Sequence, residues 1–247
     1  MPTIALSRPT AANVTRSNGG ERAWEWAGGK LVDPSRFNTW PMVRELAMAL
    51  PRRLEVAPGL RPRLPLDGTY FIDVSRVALA SLRSWGASAA CGTLSALPCP
   101  DASFDLICAL DILEHMADRE QALHELSRVA APDARLLLSV PVRAGSSTGL
   151  GESDGHDRRV EPGQITARLA AHGWVVEQST VYDQPSVSRS LATLGRECLQ
   201  HRGERALWWY NRVLTPWELR LQRPLRWRPG LVSAPRASAL LLLCRRT

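Results

Sequence analysis

The sequence has a single lysine, Lys30, among 31 basic residues. Its arginine richness reads as a bias of coding composition and is weak ground for a nucleic-acid surface. The net charge of +7 is also unevenly spread: residues 183–247 carry 12 basic and 4 acidic side chains. No recognised RNA-binding module accompanies that basic stretch, so no nucleic-acid partner is expected. Long apolar runs are missing too. No window reaches the roughly 18 apolar residues of a membrane span; the longest candidate, Ala237–Cys244, is eight residues and fits a buried strand. Met1–Gly20 is polar, without the apolar centre of a signal peptide, and a cytoplasmic location follows by default. The five cysteines form no C-x-x-C pair, so free core thiols are expected, with neither a disulfide framework nor a metal cluster. The dinucleotide fingerprint Gly-x-Gly-x-x-Gly is absent, and no internal repeat is present.

What remains is an α/β pattern. At 247 residues with 45% apolar content, the chain fits one large α/β domain with terminal additions or an insertion. Met1–Gly20 reads as an arm. Asp33-Pro34-Ser35 looks like a helix start, and Trp40, Val43, Leu46, Ala47 and Leu50 recur at helical spacing. Leu54–Ala57 and Tyr70–Val74 read as buried parallel strands. Val77–Trp85 reads as a helix, Ser88–Gly92 as a weak strand, Phe104–Leu110 as a strand and Glu114–Val129 as a helix. A turn is expected at Pro132-Asp133, then a strand over Leu136–Val140. Beyond the Gly/Ser-rich stretch Arg143–Arg159 come a helix from Glu161 to His172 and a strand over Trp174–Val181. Ser238–Cys244 is the final strand. The alternation over residues 54–141 predicts a parallel sheet with right-handed crossovers.

Two details near the start of that alternation carry chemistry. The first strand runs into Pro58-Gly59, where a glycine lets backbone approach a ligand. The second ends in Asp73, placed to accept hydrogen bonds from a ribose diol. In doubly wound sheets, ligands sit beyond the carboxyl ends of the strands, so this pairing points to a nucleoside-containing cofactor.

Five segments, in order, resemble the class I S-adenosylmethionine-dependent methyltransferases, specifically the small-molecule branch called type 11. They are Leu54-Glu55-Val56-Ala57-Pro58-Gly59, Phe71-Ile72-Asp73-Val74-Ser75 and Gly92-Thr93-Leu94-Ser95-Ala96-Leu97-Pro98. Then come Phe104-Asp105-Leu106-Ile107 with Asp111-Ile112-Leu113-Glu114-His115, and the stretch Leu126–Val140. The resemblance covers about residues 40–182 plus the last strand. It implies a Rossmann-like methyltransferase fold: a seven-stranded, mostly parallel sheet with an antiparallel last strand, helices on both faces and a helical insertion before that strand. The implied organisation is an arm and lid helix over 1–50, a cofactor-binding core over 51–182, a substrate cap over 183–236 and the last strand over 237–247. Trp24, Trp26 and Trp40 either line the substrate side of the lid or cover a sheet face.

The resemblance implies S-adenosylmethionine as cofactor and a small-molecule methyl acceptor, methylated at oxygen or nitrogen. It assigns Glu55, Ala57, Gly59 and Arg61 to the cofactor's methionine end, Asp73 and Val74 to the ribose side, and Thr93, Leu94 and Asp111 to the rest of the cofactor contacts. His115 and His156 are the candidate general bases, an imidazole being suited to deprotonating a phenol or acid. Asp111, Glu114 and His115 have helical i, i+3, i+4 spacing, which would place them on one face; they either hold a divalent ion or cap the helix and line the pocket floor. No metal ligand is assigned.

The chain also departs from the family pattern. The first glycine motif is degenerate, with Ala57 and Arg61 at two glycine positions and Thr93 where an acid is usual. Arg61-Pro62-Arg63-Leu64-Pro65 places two prolines within four residues, so the first crossover helix is expected to shrink to a loop or single turn. That removes a helix N-terminus facing the methionine carboxylate, and Arg61 or Arg63 is the expected replacement. In Asp183–Arg236, tryptophans interleave with arginines, which fits a cap over the acceptor pocket or a membrane-surface contact through 202–228. The rival readings are a methyltransferase-like binding protein and a lipid-surface protein. The acceptor and the oligomeric state are not fixed by these motifs.

Overall fold

A computed structural model describes residues 30–142, 162–182, 215–233, 237 and 239–247. Asp33 accepts a hydrogen bond from the Ser35 amide at 2.8 Å and opens a 3-10 turn over Pro34–Arg36. Helix α1 (Trp40–Ala49) follows and buries Val43 and Ala47. It leads into β1 (Arg53–Val56), then β2 (Thr69–Asp73), α2 (Arg76–Ser84) and β3 (Ser88–Cys91). Next come β4 (Phe104–Ala109), α3 (Arg119–Val129) and β5 (Ala130–Pro141). Helix α4 (Pro162–Ala171), β6 (Trp174–Val181), α5 (Thr215–Leu221), the two-residue β7 (Arg228–Pro229) and β8 (Ala239–Arg246) complete the series.

The eight strands form one sheet in the order β3-β2-β1-β4-β5-β8-β6-β7. Strands β1 to β5 pair in parallel. Strand β8 lies antiparallel between β5 and β6. The Rossmann-like architecture with an antiparallel last strand is as the motifs imply; β7, paired antiparallel to the β6 edge, adds one short strand to the seven expected. Among the described residues no helix is long and apolar enough to cross a membrane.

Side chains alternate between the two sheet faces, as strand geometry requires. Leu54, Ile72, Ile107, Leu136 and Leu242 join α3 and α4 in one core, which includes Leu126, Leu169 and Trp174. On the other face, Leu106, Cys108, Leu137 and Leu241 pack with Val43 of α1, while Phe71 packs with Leu82 of α2 and with Leu31. Cys99, Cys108 and Cys244 are free and buried, Cys91 is free and exposed, and Cys198 lies outside the described residues.

Two local expectations need correction. The turn expected at Pro132-Asp133 is an irregularity inside β5: Asp133 has φ of 60°, and the β4–β5 register slips between Phe104/Ala130 and Leu106/Arg135. The helix expected from Glu114 starts instead at Arg119, because Asp118 supplies the cap, its carboxylate accepting from the Gln121 amide at 2.9 Å. Residues Leu113–His115 form a separate 3-10 turn. Of the two readings left open for Trp40, the sheet-covering one describes it: it is partly buried against the Val43–Leu106 core. Trp24 and Trp26 lie outside the described residues.

The crossover from β1 to β2 contains no helix, as its two prolines predict. A loop of bends and turns over residues 57–68 takes its place, held by burying Leu64 completely, a contribution of about 1.5–3 kcal/mol.

Candidate functional site

At the carboxyl end of β1 the backbone turns sharply. Ala57 has φ of 53° and Gly59 φ of 55°. For glycine this left-handed conformation is unstrained; for alanine it costs about 1–2 kcal/mol. The Ala57 amide donates to the Ile72 carbonyl at 2.7 Å, which holds the strained residue against β2. A Cβ built on Gly59 would meet no atom within 4 Å, so the turn faces open space.

Asp73, at the end of β2, is 2% exposed. One carboxylate oxygen accepts from the Gly59 amide at 2.9 Å and the other from the Ser75 amide at 2.7 Å. Burial raises its pKa, while the amides of Ser75, Gly59 and Val74 work in the opposite direction. The carboxylate thus props two backbone segments, the glycine turn and the start of α2. Both of its oxygens keep lone pairs for further donors.

Glu55 is buried inside β1 at 3% exposure. Its carboxylate accepts from the Arg63 amide at 2.8 and 3.0 Å and from the Leu64 amide at 2.8 Å. Desolvation pushes its pKa up to about 7, against the pull of those two amides and the Arg63 charge. The acid therefore fastens the loop that replaces the first crossover helix. Arg63 lies 3.7 Å over the Phe37 ring and 3.9 Å from Asp111. Asp111, beyond β4, has φ of 53°. Its amide donates to the Ser139 hydroxyl at 2.6 Å, and that hydroxyl donates back to its carboxylate at 3.2 Å.

These groups wall a cavity of about 490 Å³ at the carboxyl ends of β1 and β4. Glu55, Ala57, Gly59, Arg61 and Asp111 line it. Asp73 stands behind its wall, whose surface is formed by the residues it holds, Gly59 and Ser75. Val74, half exposed, and Leu94, buried, lie outside the lining, as does Thr93 in its tight turn with Ala96. The expected Asp111–Glu114–His115 face does not form, because the left-handed Asp111 and the 3-10 turn break the helical spacing. Asp111 faces the cavity, His115 is exposed outside it, and Glu114 lines a second, smaller void with Leu123, Leu138 and Ile165. Glu114 keeps one buried carboxylate oxygen without a hydrogen-bond partner, and desolvation pushes its pKa up to about 7. Among the described residues no group of three His, Cys, Asp or Glu side chains could hold a metal ion. His156 lies outside the described residues.

Sequence reasoning missed part of the lining. Lys30, Arg36, Val77, Trp85 and Leu219 also face the cavity. They come from three distant segments with no shared spacing, so no sequence pattern marks them. Of the aromatic residues after position 214, Trp217 is 57% exposed on α5 and Trp227 packs against the Val43–Leu106 core; Trp208, Trp209 and Tyr210 lie outside the described residues.

A family model described as a methyltransferase domain matches residues 60–138, starting beyond β1 and the Gly59 turn. A probable S-adenosylmethionine-dependent methyltransferase of Mycolicibacterium smegmatis is 29% identical over 133 residues, 53% of this chain and 50% of that protein. The 27-O-demethylrifamycin SV methyltransferase of Amycolatopsis mediterranei is 39% identical over 69 residues, 28% of this chain and 25% of that one. The chain thus spans half the length, or less, of these curated relatives. Among solved structures, the [4+2]-cyclase SpnF superposes with a TM-score of 0.54 at 20% identity, covering 83% of this chain and 80% of that one, a likeness of fold.

Proposed function

We propose that the chain is a class I S-adenosylmethionine-dependent methyltransferase, a reading supported by the methyltransferase-domain match and the curated relatives, and that it methylates an oxygen or nitrogen of a small organic molecule. The observation that carries this reading is the cavity at the carboxyl ends of β1 and β4, where the Gly59 turn, Glu55 and Asp111 converge. The relatives named above include the 27-O-demethylrifamycin SV methyltransferase; the acceptor class proposed for this chain follows that precedent.

The residues present fit the cofactor. The open space at Gly59 admits a ligand against the backbone. Asp73 has acceptor capacity left on both carboxylate oxygens for a ribose diol. Val74, half exposed beside it, offers an apolar surface to a base. Thr93 and Leu94 belong to the same side. No helix N-terminus follows the glycine turn, and Arg61 on the cavity wall supplies the positive charge for the methionine carboxylate. The cofactor brings a methyl on a sulfonium, which makes in-line displacement by a nucleophile possible without a metal ligand set from the protein. The chain's own work is alignment and exclusion of water. Glu55 fixes the loop carrying Arg61, and Asp73 fixes the glycine turn. His115 is exposed and His156 precedes α4 in sequence; either one serves as base only if the acceptor must lose a proton.

Calorimetry with S-adenosylhomocysteine tests the reading. Binding in the micromolar range is expected, and Arg61→Ala should weaken it at least ten-fold with the fold intact. A folded protein that binds neither this compound nor S-adenosylmethionine would overturn the methyltransferase reading. Unchanged affinity in Arg61→Ala would remove that residue from the cofactor site.

One second reading has an observation behind it. Asp73 accepts from two backbone amides and is 2% exposed, an arrangement suited to a protein that keeps the fold without the methyl transfer. The calorimetric result separates the two.

A further inference from the structure

The missing crossover helix changes what the α1/α2 face of the sheet can hold. A right-handed β1–β2 crossover lies on the same face as α2. A helix there would cover Glu55 and pack beside α2. Here the crossover is an irregular loop, and Leu31 from the segment before α1 enters the core instead, against Phe71, Leu82 and Ala87. The Val32 amide pins that segment to the Leu60 carbonyl at 2.9 Å. Between them, this strap (Lys30 to Asp33 and Arg36) and α2 with its C-cap (Val77, Ala78 and Trp85) wall part of the 490 Å³ cavity. Cofactor-side residues Asp73, Thr93 and Leu94 are not among its walls.

The walls of that part have a definite chemistry. The carboxylates are engaged: Asp33 accepts from the Ser35 amide, Glu55 from Arg63 and Leu64, and Asp111 is linked to Ser139 and Arg63. Lys30 and Arg36 stand at the strap, both exposed and both facing the cavity. Beside them α2 leaves two apolar side chains uncovered, Val77 at 42% and Trp85 at 64% exposure. Leu31 and Leu219 complete an apolar floor.

We propose that this extension, created by the absent helix, is the acceptor subsite and takes a molecule with an apolar aromatic or aliphatic body and a carboxylate head, the head held by Lys30 and Arg36 and the body by Val77, Trp85 and Leu219. The cavity's size is that of small-molecule sites. The inference rests on the methyltransferase reading above for the word acceptor; the binding chemistry stands on the walls themselves.

The test is calorimetry with two probes of equal body, 2-naphthoate and 2-naphthalenemethanol, on the full chain in the presence and absence of S-adenosylhomocysteine. Naphthoate should bind at least ten-fold more tightly than the alcohol. The exposed pair Lys30→Ala/Arg36→Ala should erase that preference while leaving the thermal midpoint unchanged. Trp85→Ala should weaken both probes by about ten-fold. Equal affinity for the two probes, or a preference that survives the double variant, would overturn the proposal. If S-adenosylhomocysteine binds and naphthoate does not, the subsite fails and the cofactor reading stands. If naphthoate binds with the stated preference and the nucleoside does not, the subsite stands as a ligand site and the methyltransferase reading fails.

Discussion

The two faces of the sheet are built differently. On the α3/α4 face, buried apolar side chains interdigitate and the polar groups are largely paired. Glu125 accepts from the Leu97 amide at 2.7 Å, and Arg128 joins that carboxylate to the carbonyls of Leu97 and Cys99. Gly92 is required there, since a Cβ would lie 2.7 Å from Pro98 and 3.0 Å from Ile72. On the α1/α2 face, a loop replaces a helix, a carboxylate sits inside the core and a cavity remains. One face supplies stability. The other carries the left-handed Ala57 and the buried Glu55 beside the cavity.

The largest expected break in this contrast comes from matched truncations. Trp174 is 1% exposed, and its indole donates to the Ser127 hydroxyl at 2.8 Å. Trp174→Ala should cost about 3–5 kcal/mol. Leu31→Ala, which borders space already empty, should cost about 1–2 kcal/mol, below the usual range for a core leucine. Urea denaturation of both variants checks the pair, and equal costs would show that the two faces are packed alike.

A second contrast lies in two buried carboxylates, Glu55 on the open face and Glu114 on the packed one. Both have pKa values pushed up to about 7 by desolvation. A carboxyl with a raised pKa in the fold favours folding below the unfolded value of roughly 4.3. That contribution falls away as pH rises through about 7. Stability should therefore decline between about pH 4 and pH 7 and level off above. Glu114 has an unpartnered oxygen, so Glu114→Gln should stabilise at pH 8 by on the order of 2–3 kcal/mol and change little at pH 4. Glu55 accepts from two amides through both oxygens. Glu55→Gln leaves one of those positions to an NH₂ and should destabilise across the range, by about 1–3 kcal/mol. Thermal midpoints against pH read both variants; a stabilised Glu55→Gln would mean its partners are not holding the loop.

The smallest effect concerns Ala57. Ala57→Gly removes the left-handed penalty at the cost of a more flexible unfolded chain, for a net gain of about 0.5–1 kcal/mol. A thermal midpoint raised by a few degrees is expected. A lowered midpoint would show that the alanine methyl contributes packing that outweighs the strain.

Much of the packed face could be read from the chain because its causes are local or periodic. The run Leu136–Val140 alternates between the two cores, and Leu123, Leu126 and Val129 share a helix stripe. The missing crossover helix was equally legible, since Pro62 and Pro65 forbid it. The start of α3 was not: Leu113 and Met116 continue an apolar spacing that hides the stop at Asp111, although Asp118 followed by Glu120 is a helix-start signal. For the site, Glu55, Gly59, Arg61 and Asp111 were named from motifs, and they line one cavity. Asp73's two amide partners, the stacking of Arg63 on Phe37, and the strap from Lys30 to Arg36 depend on where distant segments meet. No spacing rule encodes such meetings.

Strand β8 sets an order of events. It pairs with β5 from Arg135 to Pro141 and with β6 from Trp174 to Val181, yet more than fifty residues separate it from the end of β6. During synthesis both neighbours emerge before it, and each has an edge of open backbone groups until Leu240–Cys244 arrive. The nascent chain must therefore shelter two half-sheets from pairing with other molecules, and the final sheet closes by the insertion of a single strand between them.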